Sequence, residues 1–319
     1  MPFLYKAFNL LVESEIEILH LPQIFQSTQK ADITVKLGSV PLSENERADG
    51  LNYFFSKEGA LTLQFLGVGR FLIENGSSVT IQPFIASEDS LGTLSTFVMG
   101  SVMGGLLHQR GYLLLHGNAV VCDDKAYIFA GESGAGKSTL AAAFSQAGCQ
   151  VLSDDVSAII FDEQDQPWVI PAYPAMKLWQ DAADYFKINT EGCHPVVSRE
   201  NKFHVGYSDI FCSEKRPLVG IYFLEKKAEK FNLKPLGPIA KIQSALLHTY
   251  VKRYSDIMGF SDRHLKQTAK LVKNCQMYTV DYPHHRDSKE ALMKLISPEL
   301  QIKKQPIKNL KTAKTEGIL

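Results

Sequence analysis

The sequence has no excess charge of either sign. Its 319 residues include 34 basic and 34 acidic side chains, so the formal net charge is zero. A balanced chain lacks the overall attraction to nucleic acid or to an anionic membrane that a basic excess provides. We therefore expect neither nucleic acid nor a membrane among its partners.

Cysteine is scarce, and its spacing forms no motif. The five cysteines are odd in number and make no C-x-x-C pair: Cys122, Cys149, Cys193, Cys212 and Cys275. Because a structural zinc site needs clustered ligands, this spacing argues against zinc. We expect free thiols in a reducing compartment. The N-terminus also lacks the basic and apolar regions of a secretory signal, so we expect a cytoplasmic protein.

Long apolar runs are absent except for residues 91–107, which carry no charge. This stretch is slightly short for a membrane span, has no aromatic residues at both ends, and contains several hydroxyl side chains and four glycines. Glycines on a helix allow another backbone to approach closely. We predict a buried helix over residues 89–110.

The strongest positive signal is a phosphate-binding pattern, G-x-x-x-x-G-K-[ST]. It is formed by Gly131, Glu132, Ser133, Gly134, Ala135, Gly136, Lys137, Ser138 and Thr139. An apolar strand-like run, 126–130, precedes it, and the helix-forming run 140–144 follows it. The motif thus has the strand-loop-helix context that phosphate binding requires.

The residue types in this loop explain the chemistry that we expect. Glycines permit positive φ and bring successive N–H groups toward phosphate oxygens, and the N-terminus of the following helix adds positive potential. Lys137 is placed to reach the outer phosphates, and Ser138 to bind Mg²⁺. We predict a nucleoside triphosphate, ATP, together with Mg²⁺.

Two further signals lie close to this loop in the sequence. The apolar strand 150–153 ends in Asp154 and Asp155, seventeen positions or more beyond Lys137. Two adjacent carboxylates at the end of a strand are placed to serve different roles, one binding the metal and the other accepting a proton. The alternative is that both aspartates belong to a solvated turn. His116 follows the apolar run 112–115 and is a candidate phosphate contact or proton acceptor, the alternative being a histidine of the core.

The organisation of the chain changes near residue 88. Residues 1–88 alternate short apolar runs with turn residues and predict a β-rich region, with strands at 33–37, 61–65, 71–73 and 79–81. Residues 89–300 have a mixed α/β pattern, in which 119–121 and 126–129 predict an antiparallel hairpin that leads into the phosphate loop. Residues 301–319 contain five lysines and predict a basic, disordered tail.

Three segments in this order and with these short gaps resemble the HPr kinase/phosphorylase family of serine kinases, whose nucleotide core is related to phosphoenolpyruvate carboxykinase. They are Leu115-His116-Gly117, the loop 131–139 and Leu152-Ser153-Asp154-Asp155. A looser likeness to HPr-kinase-like proteins, some of which phosphorylate a serine in ribosomally made peptides such as lasso peptides, covers residues 5–19, 106–111, 171–179 and 217–222.

The resemblance implies a mixed-sheet α/β kinase core and a role for each site residue. Lys137 would bind the β and γ phosphates, and Ser138 and Asp155 would hold the metal. Asp154 would be the catalytic base, with His116 assisting near the transferred phosphate. The implied protein is a bacterial, cytoplasmic, Mg²⁺-dependent enzyme that transfers the γ-phosphate of ATP to a serine of a protein or peptide.

The sequence also departs from the family. The HPr enzymes carry a Glu-Arg-Gly-rich signature after the aspartates, associated with the reverse reaction, and this chain lacks it; HPr is therefore a doubtful acceptor. Arg199 or Lys202 is a candidate for the missing positive charge, and a solvated loop is the alternative. We interpret His284-His285 as a loop pair rather than a metal site. A non-catalytic ATP-binding regulator remains the alternative function, and a homo-oligomer remains open.

Overall fold

A computed structural model describes residues 2–19, 21–41, 53–84, 91–193, 195–196, 199–225, 229–283 and 288–300. By contacts between Cα atoms the chain forms two compact units, which are residues 1–114 with 250–266 (unit 1) and residues 115–249 with 267–319 (unit 2). The predicted boundary at residue 88 differs from this division, since residues 89–114 group with unit 1. The predicted tail, 301–319, and His284-His285 lie outside the described residues.

Unit 1 is built on a seven-stranded mixed sheet in the order β1-β2-β3-β7-β6-β5-β4. Its strands are β1 (Phe3–Ala7), β2 (Leu10–Ser14), β3 (Ile33–Leu37), β4 (Tyr53–Lys57), β5 (Ala60–Phe65), β6 (Gly69–Glu74) and β7 (Ser78–Pro83). The prediction of a β-rich N-terminal region is confirmed. Asn75 and Gly76 both have positive φ, 53° and 61°, as the tight turn between β6 and β7 requires.

A helical stretch covers much of this sheet. It consists of α1 (Leu91–Phe97), a π-helical turn (Val98–Val102) and α2 (Met103–Gln109). Among the described residues it is the one helix long and apolar enough to cross a membrane, and 61% of its most apolar part is buried in the fold. A Cβ on Gly105 would lie 2.6 Å from Leu61 and 2.9 Å from Ile73. The predicted buried helix with close approach at glycine is therefore confirmed.

Unit 2 contains an eight-stranded mixed sheet in the order β10-β8-β11-β12-β16-β18-β17, with β9 pairing with β8 and β16. The strands are β8 (Leu113–Cys122), β9 (Lys125–Gly131), β10 (Gln150–Ser153), β11 (Val156–Phe161), β12 (Pro167–Ile170), β16 (Arg216–Glu225), β17 (Asn232–Pro235) and β18 (Gln276–Asp281). Strands β8 and β9 pair antiparallel from Gly117↔Ala130 to Cys122↔Lys125, so the predicted hairpin is confirmed.

A smaller sheet stands beside the large one. It contains β13 (Ala175–Trp179), β14 (Pro195–Val196) and β15 (Arg199–Gly206), in the order β13-β15-β14. The other α-helices of the described residues are α3 (Lys137–Gln146), α4 (Gln180–Phe186), α5 (Pro238–Leu247), α6 (Lys252–Ile257), α7 (Ser261–Asn274) and α8 (Ser288–Leu300). The mixed α/β class predicted from the sequence is confirmed.

The helix α3 is fixed by apolar packing on both sides. Phe144 stacks on Phe129 of β9, with ring centroids 5.2 Å apart, and both rings are fully buried. Ala142 and Ala143 of the same helix pack with Met176 and Leu178 of β13. Burying one phenylalanine stabilises a fold by roughly 2–3 kcal/mol. The second half of α3 is therefore held firmly between β9 and β13.

One prediction about the cysteines is wrong. Cys122 and Cys149 form a disulfide, with their Cα atoms 4.8 Å apart, whereas the sequence predicted free thiols. Cys122 ends β8 and Cys149 directly precedes β10, and the pairing of these two strands brings the cysteines together. A spacing of 27 residues carries no local motif, so only the strand pairing reveals the bond. Cys193, Cys212 and Cys275 are free.

Candidate functional site

Three chain segments meet at one edge of the large sheet of unit 2. β8 carries His116, β9 runs into the loop at Gly131, and β10 ends directly before Asp154. The backbone N–H of Gly117 donates to the carbonyl of Asp155 at 3.1 Å, which joins β8 to the turn after β10. The three predicted signals are therefore close in space.

The loop between β9 and α3 needs glycine for two different reasons. Gly136 precedes α3 with φ 77°, a left-handed conformation that disfavours other residues. Gly131 has φ 155°, and a Cβ there would lie 2.9 Å from the carbonyl oxygen of Leu224. Between them Glu132, Ser133 and Gly134 are exposed and Ala135 is buried. The middle of the loop is accessible to a ligand while both of its ends are fixed.

Lys137, the first residue of α3, extends back over this loop. It is only 7% exposed, and its Nζ donates to the carbonyls of Gly131 (2.9 Å) and Glu132 (3.1 Å). Its Nζ also lies 3.1 Å from Nε2 of His116. A buried ammonium with these partners concentrates positive charge at the loop, where phosphate oxygens would be attracted. Thr139, on the first turn of the helix, is half-buried.

The contacts of His116 define its tautomer. Because the Lys137 ammonium has no acceptor capacity, Nε2 of His116 must accept, and Nδ1 then carries the proton. Nδ1 donates to the carbonyl of Asp155 at 3.1 Å and lies 3.3 Å from its Oδ1. Burial lowers the pKa of His116, Asp155 raises it and Lys137 lowers it, with a net decrease. The imidazole is thus neutral near pH 7.

Asp155 lies between two basic side chains and remains accessible. Its Oδ2 pairs with Nζ of Lys177 at 2.8 Å, its Oδ1 faces His116, and its side chain is 29% exposed. The backbone of Asp155 is left-handed, with φ 68°, so the chain turns sharply between β10 and β11. Burial raises the pKa of Asp155, but Lys177 and His116 outweigh it and hold the pKa well below its usual range. This carboxylate is ionised at neutral pH.

Asp154 has a different environment although it is the neighbouring residue. It is 5% exposed, and its Oδ1 accepts hydrogen bonds from the Ser138 hydroxyl (2.8 Å) and from Nδ2 of Asn118. Its Oδ2 accepts the backbone N–H of Lys177 at 2.7 Å. Burial and the charge of Asp155 raise the pKa of Asp154. Both oxygens of this carboxylate are therefore occupied by donors from the protein.

An oxygen-rich position suited to a hard cation lies beside Asp154. The Oδ1 atom of Asn118 is buried and has no hydrogen-bond partner among the residues that the structure describes, and its Nδ2 lies 3.3 Å from Oγ of Ser138. Ser138 and Asp154 supply the hydroxyl and carboxylate oxygens that Mg²⁺ prefers, usually one or two from protein beside phosphate and water, whereas Asn118 faces this pair with its Nδ2 group. No group of three or more His, Cys, Asp or Glu suited to a metal occurs in the described part of the chain. The donor set fits Mg²⁺ rather than zinc.

Three residues of this site were not predicted. Asn118 lies two positions from His116 on β8, so the alternation of a strand could have indicated it. Tyr282 and Lys177 come from distant segments with no local motif; the hydroxyl of Tyr282 donates to the carbonyl of Ala135.

The sequence offered Arg199 and Lys202 as candidates for the missing positive charge. The Nζ atom of Lys202 lies 5.6 Å from the centroid of the Trp179 ring, and the side chain of Arg199 lies outside the part of the chain that the structure describes.

Comparison with known proteins gives little beyond this geometry. No family model matches the chain, and no curated protein matches it. Among solved structures, it is similar to the HPr(Ser) kinase/phosphatase from Coxiella burnetii, with 13% sequence identity and a TM-score of 0.32, over 58% of this chain and 95% of that one. A likeness of this extent is no evidence for a substrate or a reaction.

Proposed function

We propose that this protein is an ATP-dependent phosphotransferase that moves the γ-phosphate to a serine hydroxyl of a protein or peptide and requires Mg²⁺. The alternative is a regulator that binds ATP without transferring phosphate. Both need the loop, Lys137 and one carboxylate beside the metal. Transfer needs in addition a group that accepts the hydroxyl proton and is open to an acceptor.

The second carboxylate carries the proposal. Asp154 is buried against Ser138, as a carboxylate associated with a metal would be, and this alone would serve a regulator. Asp155 is a second carboxylate that this metal contact does not use: it is partly exposed, ionised, paired with Lys177, and joined through His116 to Lys137. A partly exposed, ionised carboxylate beside the loop is what phosphoryl transfer needs in addition, as a group that can accept the hydroxyl proton.

The contacts favour a division of labour that reverses the one implied by the resemblance. A proton acceptor must touch the acceptor hydroxyl, and Asp155 is the carboxylate with an exposed face. Asp154 is only 5% exposed, and its Oδ1 accepts the hydrogen bond of the Ser138 hydroxyl. We therefore propose Asp155 as the base and assign Asp154 with Ser138 to the metal. The raised pKa of Asp154 supports the opposite division, in which Asp154 takes the proton.

The reaction then follows from these positions. The serine oxygen forms a bond to the γ-phosphorus, the bond between that phosphorus and the bridging oxygen of ADP breaks, and the hydroxyl proton passes to Asp155. Bound Mg²⁺ would neutralise charge on the phosphates. Lys137 holds the outer phosphates, and the neutral His116 supports both Lys137 and Asp155. Positioning and charge do most of the work in such transfers.

The acceptor is proposed from the resemblance alone. A ribosomally made biosynthetic peptide is the first candidate, and HPr is the second, because the signature associated with the reverse reaction is missing. Both would be encountered in the cytoplasm, which stays the proposed location although the Cys122–Cys149 disulfide is unusual for that compartment.

The experiment compares two carboxylate variants with a matched control. Purified full-length protein is incubated with Mg²⁺, labelled ATP and peptides encoded beside its gene, and with HPr. We expect label on serine with wild-type protein, and a loss of at least 10³-fold with Asp155→Asn while ATP binding stays within about threefold. Asp123→Asn, which changes an exposed aspartate of the β8–β9 turn, should behave as wild type.

Two other outcomes of this experiment would each support an alternative to the proposal. If ATP binds but neither an acceptor nor water receives phosphate, the regulator is correct. If Asp154→Asn abolishes transfer with Mg²⁺ affinity unchanged while Asp155→Asn transfers normally, the division of labour is the one implied by the resemblance.

A further inference from the structure

The small sheet presents one polar face and one apolar face. Met176 and Leu178 of β13 pack into the apolar cluster that includes Ala142 and Ala143 of α3. Because side chains alternate along a strand, Lys177 and Trp179 lie on the other face. The register places His204 opposite Lys177 and Lys202 opposite Trp179, so this second face is basic and aromatic.

Lys177 joins this face to both carboxylates of the site. Its backbone N–H donates to Oδ2 of Asp154 at 2.7 Å, and its Nζ donates to Oδ2 of Asp155 at 2.8 Å. The side chain is 16% exposed, so it is largely enclosed but keeps access to the site. A single residue therefore fixes the position of one carboxylate through its backbone and neutralises the other through its side chain.

The position of Nζ is close to where the transferred group must be. An acceptor hydroxyl that gives its proton to Asp155 would lie about 2.6–3.2 Å from that carboxylate, and the attacked phosphorus about 3–3.5 Å further. Nζ of Lys177 is already at hydrogen-bond distance from the same carboxylate. An ammonium has three donors on a flexible four-carbon stem, so one N–H can stay on Asp155 while another meets a phosphoryl oxygen.

The negative charge of the site requires a cation at the position of the Lys177 ammonium. Lys137 is the basic residue on the loop side, whereas two aspartates and a triphosphate contribute negative charge. Negative charge develops on the phosphoryl group during its transfer. To stabilise this charge, the site needs a hydrogen-bond donor on the side of the acceptor as well as on the side of the loop. Lys202 also lowers the pKa of Asp155, but Lys177 has the larger effect and makes the direct contact.

We propose that Lys177 is a catalytic residue, whose ammonium contacts the oxygens of the phosphoryl group during its transfer. This inference rests on the proposed function. It assigns the acceptor-side positive charge to Lys177, where the sequence had indicated Arg199 or Lys202.

The test needs no acceptor. Calorimetry on the full-length protein measures the affinity for ADP with Mg²⁺, and then for ADP with Mg²⁺ and aluminium fluoride, which mimics the planar phosphoryl group. We expect Lys177→Met to bind ADP with Mg²⁺ within about threefold of wild type and to lose about 10²–10³-fold of the affinity gained with aluminium fluoride. Lys177→Arg should keep most of that gain, because it retains the charge.

Lys125→Met is the matched control, since it removes an exposed ammonium at the start of β9, outside the proposed site. It should keep the gain from aluminium fluoride. If Lys177→Met keeps the gain, or loses ADP affinity to the same extent, Lys177 is not specific for the transferred group and the proposal is overturned while the proposed function stands. If wild-type protein binds no ADP with Mg²⁺, the proposed function fails and this inference fails with it.

Discussion

The hydroxyl of Ser138 donates a 2.8 Å hydrogen bond to Oδ1 of Asp154. This bond joins the first turn of α3 to the residue that follows β10, two segments that are separated by a whole helix in the chain. Asn118 adds a third polar group at the same point. The bond thus defines the position at which a cation would lie beside the phosphate loop.

Removing this hydroxyl should weaken metal binding. For Ser138→Ala we expect the affinity for Mn²⁺, used in place of Mg²⁺ with ADP present, to fall about 10–100-fold, because losses of this size follow removal of groups that bind or orient a metal. Electron paramagnetic resonance of free Mn²⁺ measures this directly. Ser145→Ala is the control on the same helix, since that hydroxyl bonds only to the carbonyl of Ala142 in the described structure. Equal Mn²⁺ affinity in the two variants would contradict the site.

Replacing Lys137 by methionine should weaken ATP binding strongly and the stability of the fold only slightly. We expect ATP affinity to fall about 10²-fold or more, because the variant removes the cation at the loop. The free energy of unfolding should fall by only about 1–3 kcal/mol, since the carbonyls of Gly131 and Glu132 lose a donor while an apolar side chain of similar length fills the space. Calorimetry and urea unfolding measure the two quantities. Lys125→Met, at the exposed start of β9, should leave both unchanged; a large loss of stability in Lys137→Met alone would show that the lysine is structural.

Acid should destabilise the fold through His108 of α2. Burial lowers the pKa of this imidazole to about 4, and Nε2 bonds to the carbonyl of Tyr250 at 2.9 Å. Between pH 6.5 and about 4 the unfolded chain binds a proton that the folded chain does not, so stability is complete above pH 6.5 and falls as the pH falls through this window. The expected contribution is about 2 kcal/mol at pH 5.

The variant His108→Gln tests this pH dependence, because an amide can still donate to Tyr250 but does not titrate in this range. Urea unfolding measures the free energy of unfolding at pH 7.5 and at pH 5. The decrease in this free energy between the two pH values should be about 2 kcal/mol smaller in the variant than in wild-type protein. Identical differences would mean that other groups, such as the buried His264, account for the acid sensitivity.

Breaking the disulfide should destabilise the nucleotide-binding part of the fold. The bond closes a loop of 27 residues that contains β9, the phosphate loop and α3. Loop-closure entropy predicts that Cys122→Ser with Cys149→Ser lowers the free energy of unfolding by about 3.5 kcal/mol. Urea unfolding with and without a reductant checks this, with Cys193→Ser as the control. Alkylation of Cys122 in native protein without reductant would contradict the bond.

The sequence indicated the parts of the fold whose signals are local. The phosphate loop, the β8–β9 hairpin and the strand before Asp154 each depend on a short pattern, and each lies where the pattern predicts. Lys177 and the Cys122–Cys149 bond depend on which distant strands pair, which no local pattern reveals. The different environments of Asp154 and Asp155 likewise require the positions of the surrounding residues.

The positive φ of Asp155 has a consequence for how this protein can evolve. A non-glycine residue in the left-handed region is strained by of order 1 kcal/mol, and aspartate tolerates it better than most. Asp155→Gly would relieve that strain but would also remove the ion pair with the largely enclosed Lys177, so a screen for thermal stability alone should not select it. Aspartate is therefore held at this position by its ion pair as well as by the proposed chemistry, and its retention alone would not be a signature of selection for activity.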